Sequence, residues 1–455
     1  MKILRIVLIA FLTSSLLTSC FEDQDDNAIS ASEISDFVWK GMNAFYLYKD
    51  EIPDLANDRF SSNEEYASYL NSFSGPEELF ESVIYQRETV DRFSLLTNDY
   101  IQLEQLLVGT SITNGLRFYS FAPPANSSQR ILVIRQVLQG SVADNADLQR
   151  GQFIDQIDGV YITADNVNSL LSSDSYTLHF ATYDDNNTPE VSDDIFVSNG
   201  NTITLSKAPL TSNPVQLTRI IEVDGTNVGY LLYNAFNPNF DNQLNNAFAE
   251  FRSNNIQNLI IDLRYNGGGS INSARLLGSM VTGQFNGQIF SKLVYNNDRQ
   301  ALNTNFEFVN SFDGNSVNSL NLQKVYVLTT SGSASASELV INSLDSYIDV
   351  VQIGDFTTGK TQASQILYDS PNLGSENKNP NHTYAMLPLV ANSINVNDLM
   401  VPPNGLMPDL FLQENPLNLN ILGDPSEPLL AAAILHIQEN GRFSATNELP
   451  RNSTH

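Results

Sequence analysis

Leu259-Ile260-Ile261-Asp262-Leu263-Arg264-Tyr265-Asn266-Gly267-Gly268-Gly269 is the stretch that decides the fold. Its first five residues are apolar but for Asp262 and show no polar alternation, the pattern of a strand covered on both faces. Three glycines follow, and then Ile271–Val281 carries helical spacing. Strand, glycine loop and helix together begin an α/β unit. Val228–Tyr233 reads as another strand and Phe240–Arg252 as a helix. Val325-Tyr326-Val327-Leu328 is a further buried strand, followed by Thr329-Thr330-Ser331-Gly332-Ser333-Ala334-Ser335-Ala336-Ser337-Glu338 and a helix through Leu339–Leu344. The chain from about residue 205 is therefore expected to be α/β.

Neither loop is decisive alone. The glycine loop lets a backbone approach a ligand closely. It lacks the Gly-Lys-Ser/Thr of a phosphate loop and the G-x-G-x-x-G of a dinucleotide site, and it reads equally as a tight turn. In the serine loop, Ser335-x-x-Glu338 is a capping box, which a helix start explains without catalysis. Lys360 changes the balance. It follows Ser335 by 25 residues, in Gly354-Asp355-Phe356-Thr357-Thr358-Gly359-Lys360 after the strand-like Val350–Ile353. That spacing lets a helix leave the serine and a strand return beside it.

Residues 30–104 read as helical, with Ser30-x-x-Glu33 as a capping box and helices near Glu64–Phe73 and Pro76–Ile84. Residues 105–190 are β-rich: Gly115-Leu116-Arg117-Phe118, the strand Ile131–Ile134, Gly140-Ser141-Val142-Ala143, Arg150-Gly151 and the Ile157-Asp158-Gly159 turn. Asp184–Asn201 is polar and reads as a connector.

The formal net charge of −28 argues against nucleic acid, whose phosphates need a basic face. Cys20 is the only cysteine, so there is no disulfide framework, no second thiol and no cysteine-based zinc site. The four histidines, His179, His382, His436 and His455, lack metal-ligand spacing, and no metal or cofactor is expected. Lys2 and Arg5 precede the apolar Ile6–Leu17, which is too short for a stable span. Leu17-Thr18-Ser19-Cys20 resembles the bacterial lipobox, with Cys20 as the lipidated first residue after removal of 1–19. The acidic residues 20–29 then form a tether.

Taken in order, the loops resemble those of the tail-specific, or C-terminal processing, serine proteases. The shared motifs are D-L-R-x-N-x-G-G at 262–269, S-A-S-A-S-E at 333–338 and a base loop ending in T-x-G-K at 357–360, with Gly405-Leu406-Met407-Pro408-Asp409 near the end of the core. The segment 140–159 resembles a PDZ domain, with Gln152 where that pattern usually has Asp. The resemblance implies an α/β crotonase-like core at 205–440, an inserted PDZ-like domain at 105–190 and a helical N-terminal domain at 30–104. It further implies Ser335 as nucleophile, Lys360 as general base, and the backbone N–H groups of Gly268 and Ala336 as the oxyanion hole. Gly115, Leu116, Arg117 and Phe118 become the loop that receives a peptide carboxylate. A lysine serves as base only when neutral, and moving a lysine pKa from about 10.4 to about 7 costs roughly 4–5 kcal/mol, which burial can supply. The family often has Gln four residues after the lysine, where this chain has Ser364, flanked by Gln362 and Gln365. The expectation is an endopeptidase acting on protein or peptide substrates, lipid-anchored in the cell envelope of a Gram-negative bacterium, at the outer membrane on its periplasmic side or at the cell surface. The alternative is a peptide-binding lipoprotein with an idle dyad.

Overall fold

The computed structural model describes residues 32–439. They form two compact units.

The first unit contains the chain up to Asn98 together with Gln365–Pro388. Its helices are Glu33–Phe45, Asn63–Leu70 and Pro76–Ser82. Ser62 caps the second helix by accepting the Glu65 N–H at 3.2 Å. The first helix has Ser32 at its N-cap, so Glu33 stands at the first helical position rather than the third. The expected box with Ser30 does not start this helix, and Ser30 itself lies outside the described residues. Phe37, Val38, Met42, Tyr46, Leu79 and Phe80 make the core of the unit, closed by Leu367 and Met386 from the returning segment. Sequence order had placed that segment within 205–440. Its strands, Leu367–Tyr368 and Ala385–Leu387, instead form a three-stranded sheet with Leu95–Thr97.

The second unit holds a β-rich segment and an α/β core. The β-rich sheet runs in the order Leu116–Phe121, Ile131–Val137, Phe153–Ile157, Ser175–Asp184, Ile195–Ser206, with antiparallel neighbours. Leu132, Ile134, Leu148, Ile154 and Leu178 are its core. The expected connector 184–201 is a correction: Ile195–Ser206 is a full strand paired with Ser175–Asp184. Most of that strand is exposed, so no apolar face marks it in the sequence.

The α/β core has a six-stranded sheet in the order Val215–Val223, Thr226–Tyr233, Asn258–Asp262, Lys324–Thr329, Asp349–Gly354, Leu410–Phe411. The first pair is antiparallel and the rest are parallel. Helices Asp241–Ser253, Ile271–Thr282 and Ala336–Leu344 supply apolar side chains to one face. Pro428–Gln438 covers the other. Covering on both faces explains the unbroken apolar runs at 259–261 and 325–328. Successive parallel strands deliver the glycine loop, the serine loop and the lysine loop to one edge of this sheet. An antiparallel sheet flanks them, in the order Thr304–Glu307, Ile289–Tyr295, Leu389–Ile394, Gln362–Ser364.

Candidate active site

The glycine and serine loops are stitched together before any side chain is placed for chemistry. Ser333 Oγ donates to the Leu263 carbonyl at 2.8 Å. The Ala334 N–H and the Ser337 hydroxyl both donate to the Asn266 carbonyl, at 3.1 and 2.8 Å. The Thr330 hydroxyl donates to the Arg264 carbonyl. Asn266 is fully buried and fixes its own loop, its amide donating to the Tyr233 carbonyl at 2.9 Å.

Ser335 stands at the N-cap of the Ala336–Leu344 helix with φ 57° and ψ −111°. A side chain in this left-handed region is strained and persists only where the surroundings hold it. Glu338 supplies much of that hold. Its buried carboxylate accepts the Ser335 N–H at 2.8 Å and the Lys360 N–H at 2.9 Å on Oε2. On Oε1 it accepts the Thr357 hydroxyl and the Gly359 N–H, both at 2.6 Å. The capping residue read from the sequence thus also clamps the lysine loop, a role that depends on a contact more than twenty residues away in sequence. Thr357 is the expected turn residue and also receives the Leu406 N–H at 2.7 Å, which docks the 405–409 motif onto this loop. Gly405 has φ +87°, and a Cβ there would fall 2.0 Å from the Thr357 carbonyl oxygen.

Ser335, Ala336 and Lys360 line one cavity of about 70 Å³, together with Gly269, Ser364 and Ser393. The structure therefore brings the predicted nucleophile and base together. Gly268, expected in the oxyanion hole, stands next to the serine loop. Its N–H donates to Asn266 Oδ1 at 2.9 Å, so in this conformation it is committed within its own loop. Gly268 still has a steric role. With φ +106°, a Cβ there would lie 2.7 Å from Ser335 Cβ and 3.0 Å from the Ala336 nitrogen. Gly269 is the glycine that lines the cavity.

The Gly115–Phe118 loop is likewise more occupied than expected. Thr113 Oγ1 accepts the Gly115 N–H at 3.0 Å, and Asn114 Oδ1 accepts the Leu116 N–H at 3.2 Å. The Arg117 guanidinium turns toward the glycine loop, donating to the Tyr265 carbonyl at 3.4 Å and to Gln136 Oε1 at 3.3 Å. Phe118 lies in the Leu116–Phe121 strand, which among the described residues has a strand neighbour on one side only.

Behind the glycine loop lies a charge cluster that sequence reading missed. Arg264 is fully buried and binds Asp262 at 2.8 Å, Glu427 at 2.6 Å and Glu414 at 3.0 Å. Arg150, from the β-rich segment, reaches the same Glu414 at 2.6 Å. Tyr119 and Tyr265 also donate to Glu414. Burial pushes the Glu414 carboxyl up, but Arg264 and Arg150 outweigh it and hold it down at about 2. No sequence motif joins these residues, although an arginine inside an apolar strand-loop junction signals that buried partners must exist.

The histidines lie elsewhere. His179 is on a strand of the β-rich sheet, His382 pairs with Asp369 at 2.9 Å in the first unit, and His436 faces Tyr326. Cys20 and His455 lie outside the described residues.

Residues 227–374 match Peptidase family S41, and residues 33–95 match the Peptidase S41 N-terminal domain. The chain is similar to a solved structure from Bacteroides fragilis NCTC 9343 assigned to the S41 proteases. The two share 26% identity with a TM-score of 0.72, covering 90% of this chain and 98% of the other. It is 25% identical over 239 residues to carboxyl-terminal-processing peptidase 3, chloroplastic, of Arabidopsis thaliana, covering 52% of this chain and 44% of that one. It is 30% identical over 176 residues to C-terminal processing peptidase, chloroplastic, of Tetradesmus obliquus, covering 36% and 34%. The chain thus spans less than half the length of these curated relatives.

Proposed function

We propose that this chain, whose residues 227–374 and 33–95 match Peptidase family S41 and its N-terminal domain, is a serine endopeptidase working through Ser335 and Lys360. The observation that carries the reading is the shared carboxylate of Glu338, which fixes the backbone of nucleophile and base from one point. In this reading Lys360 Nζ takes the proton of Ser335 Oγ as the oxygen attacks the substrate carbonyl. The N–H of Ala336, at the start of its helix, stabilises the oxyanion, and one such donor is worth about 3 kcal/mol. The protonated lysine then gives its proton to the leaving amine. Water, activated by the same amine, releases the acyl group.

The remaining expectations belong to the same proposal. The α/β core is read as crotonase-like and the β-rich segment as PDZ-like. The outer edge of Leu116–Phe121 supports this, since a terminal strand can accept an extended peptide as an added strand. Substrates are protein segments that are unstructured or near a C-terminus. Lys2, Arg5, the apolar 6–17 and Cys20 support a lipid-anchored protein of the Gram-negative cell envelope. The test is cleavage of casein by the purified chain: activity lost in both Ser335→Ala and Lys360→Ala is expected, and turnover that survives in Ser335→Ala overturns the nucleophile. Palmitate labelling that persists in Cys20→Ala overturns the anchor.

A further inference from the structure

Two groups in the cavity beside Ser335 are left without work by the proposed chemistry. Ser364 and Ser393 both line it, and each hydroxyl oxygen is buried with no hydrogen-bond partner among the described residues. Ile271, Leu339 and Val401 give the cavity apolar walls, and Lys360, Thr361 and Gln362 line it beside the serines. The backbone around the two serines is well held. Ser393 donates its N–H to the Thr361 carbonyl at 2.9 Å and accepts the Thr361 hydroxyl on its own carbonyl at 3.2 Å. Ser364 ends the strand that pairs with Leu389–Ile394. The hydroxyls are therefore positioned while remaining unsatisfied.

A buried polar atom without a partner costs about 1–3 kcal/mol, so native structures keep few of them. In a small, partly apolar cavity next to Ser335, such atoms are matched by a ligand that brings the missing partner. We infer that this cavity takes the side chain of the substrate residue whose carbonyl Ser335 attacks, and that Ser364 and Ser393 select a side chain bearing a hydrogen-bonding atom over its apolar isostere. The inference rests on the peptidase reading above. A space of about 70 Å³ admits only a few heavy atoms, which points to a threonine, serine or asparagine rather than a long or aromatic residue. A valine of threonine's shape would fill the space yet leave both hydroxyls idle. Sites built to hydrogen-bond a substrate group reject the analogue lacking it far more strongly than apolar pockets reject a methylene.

The experiment is a competition between two peptides, identical except for Thr or Val before the scissile bond, with the full chain. The expected result is a kcat/KM ratio favouring Thr by about tenfold, the effect of roughly one hydrogen bond. In Ser364→Ala/Ser393→Ala the ratio is expected to fall toward one. Equal cleavage or a Val preference in the unmodified chain overturns the inference, as does a Thr preference that survives in the double variant. Sequencing the C-termini of casein fragments gives a measurement that needs no variant: enrichment in Ser, Thr and Asn supports the inference, and its absence overturns it. If casein is not cleaved at all, the peptidase reading fails and the inference falls with it.

Discussion

The backbone N–H groups of Ser335 and Lys360 end on the same carboxylate oxygen, Oε2 of Glu338, at 2.8 and 2.9 Å. Ser335 and Lys360 come from different loops, yet one buried side chain holds the backbone of both. Geometry at this level matters because a displacement of about 1 Å in a reacting group can cost about 10²-fold in rate.

Glu338→Gln tests the clamp. The amide offers one acceptor atom where four donors now converge on two, so buried N–H groups lose their partner at about 1–3 kcal/mol each. The expected outcome is a loss of about 3 kcal/mol in denaturant unfolding and a fall in kcat on the order of 10²-fold. A variant with unchanged stability and turnover would show that the clamp is dispensable.

Ser335 should separate strain from catalysis. Glycine tolerates φ 57° without a Cβ penalty, and alanine does not. Both Ser335→Gly and Ser335→Ala are expected to be inactive, but the glycine variant should unfold at higher denaturant, by about 1 kcal/mol. Equal midpoints would mean that the backbone here stores no strain.

Gly268→Ala is expected to do the opposite. The added Cβ would meet Ser335 Cβ at 2.7 Å and the Ala334 carbonyl oxygen at 2.9 Å, both parts of the serine loop. Activity should drop more than tenfold, with a stability loss of about 1–3 kcal/mol. Wild-type turnover in this variant would show that the loop can shift without consequence.

Asp241 gives a pH dependence with a definite sign. It is buried, and burial pushes its carboxyl up to about 6. A raised pKa means that the fold binds the proton more tightly than the unfolded chain. The stabilisation is fully present below the unfolded value near 3.8 and is lost as pH rises through about 6. Asp241→Asn should therefore melt above the unmodified chain at pH 7.5, with the gap narrowing toward pH 4. Parallel melting curves across that range would refute it.

Glu414 carries the reverse sign. Held down at about 2 by Arg264 and Arg150, its contribution is present above the unfolded value near 4.5 and is lost as pH falls toward 2. Glu414→Gln leaves two buried arginines short of an anion, and breaking such a pair typically costs about 3–5 kcal/mol. The variant should unfold at a higher pH during acid titration. An unchanged acid midpoint would count against the cluster as a stabilising element.

Much of the site was legible because its chemistry is local. The strand-loop-helix pattern at 259–281, the serine loop at 329–338 and Lys360 each show their element type by period and glycine placement. Glu338 was visible as a cap, since capping is a contact across three residues. What escaped did not follow from one local pattern. The hydrogen bond that commits the Gly268 N–H to Asn266 depends on how that loop closes after the Tyr233 carbonyl has fixed the Asn266 amide. The strand Ile195–Ser206 escaped because it is mostly exposed and carries no apolar alternation.

The sequence by itself determined the α/β alternation, the order of the three loops and a spacing that lets Lys360 return beside Ser335, because these follow from periodicity along one chain. Only the tertiary structure decided that Glu338 spans both loops, that Arg150 and Arg264 share Glu414, and that Gln365–Pro388 completes the first unit. The physical reason is the same in each case. Burying a carboxylate, a guanidinium or an apolar strand requires partners that packing supplies from distant parts of the chain, and no local pattern encodes which ones they are.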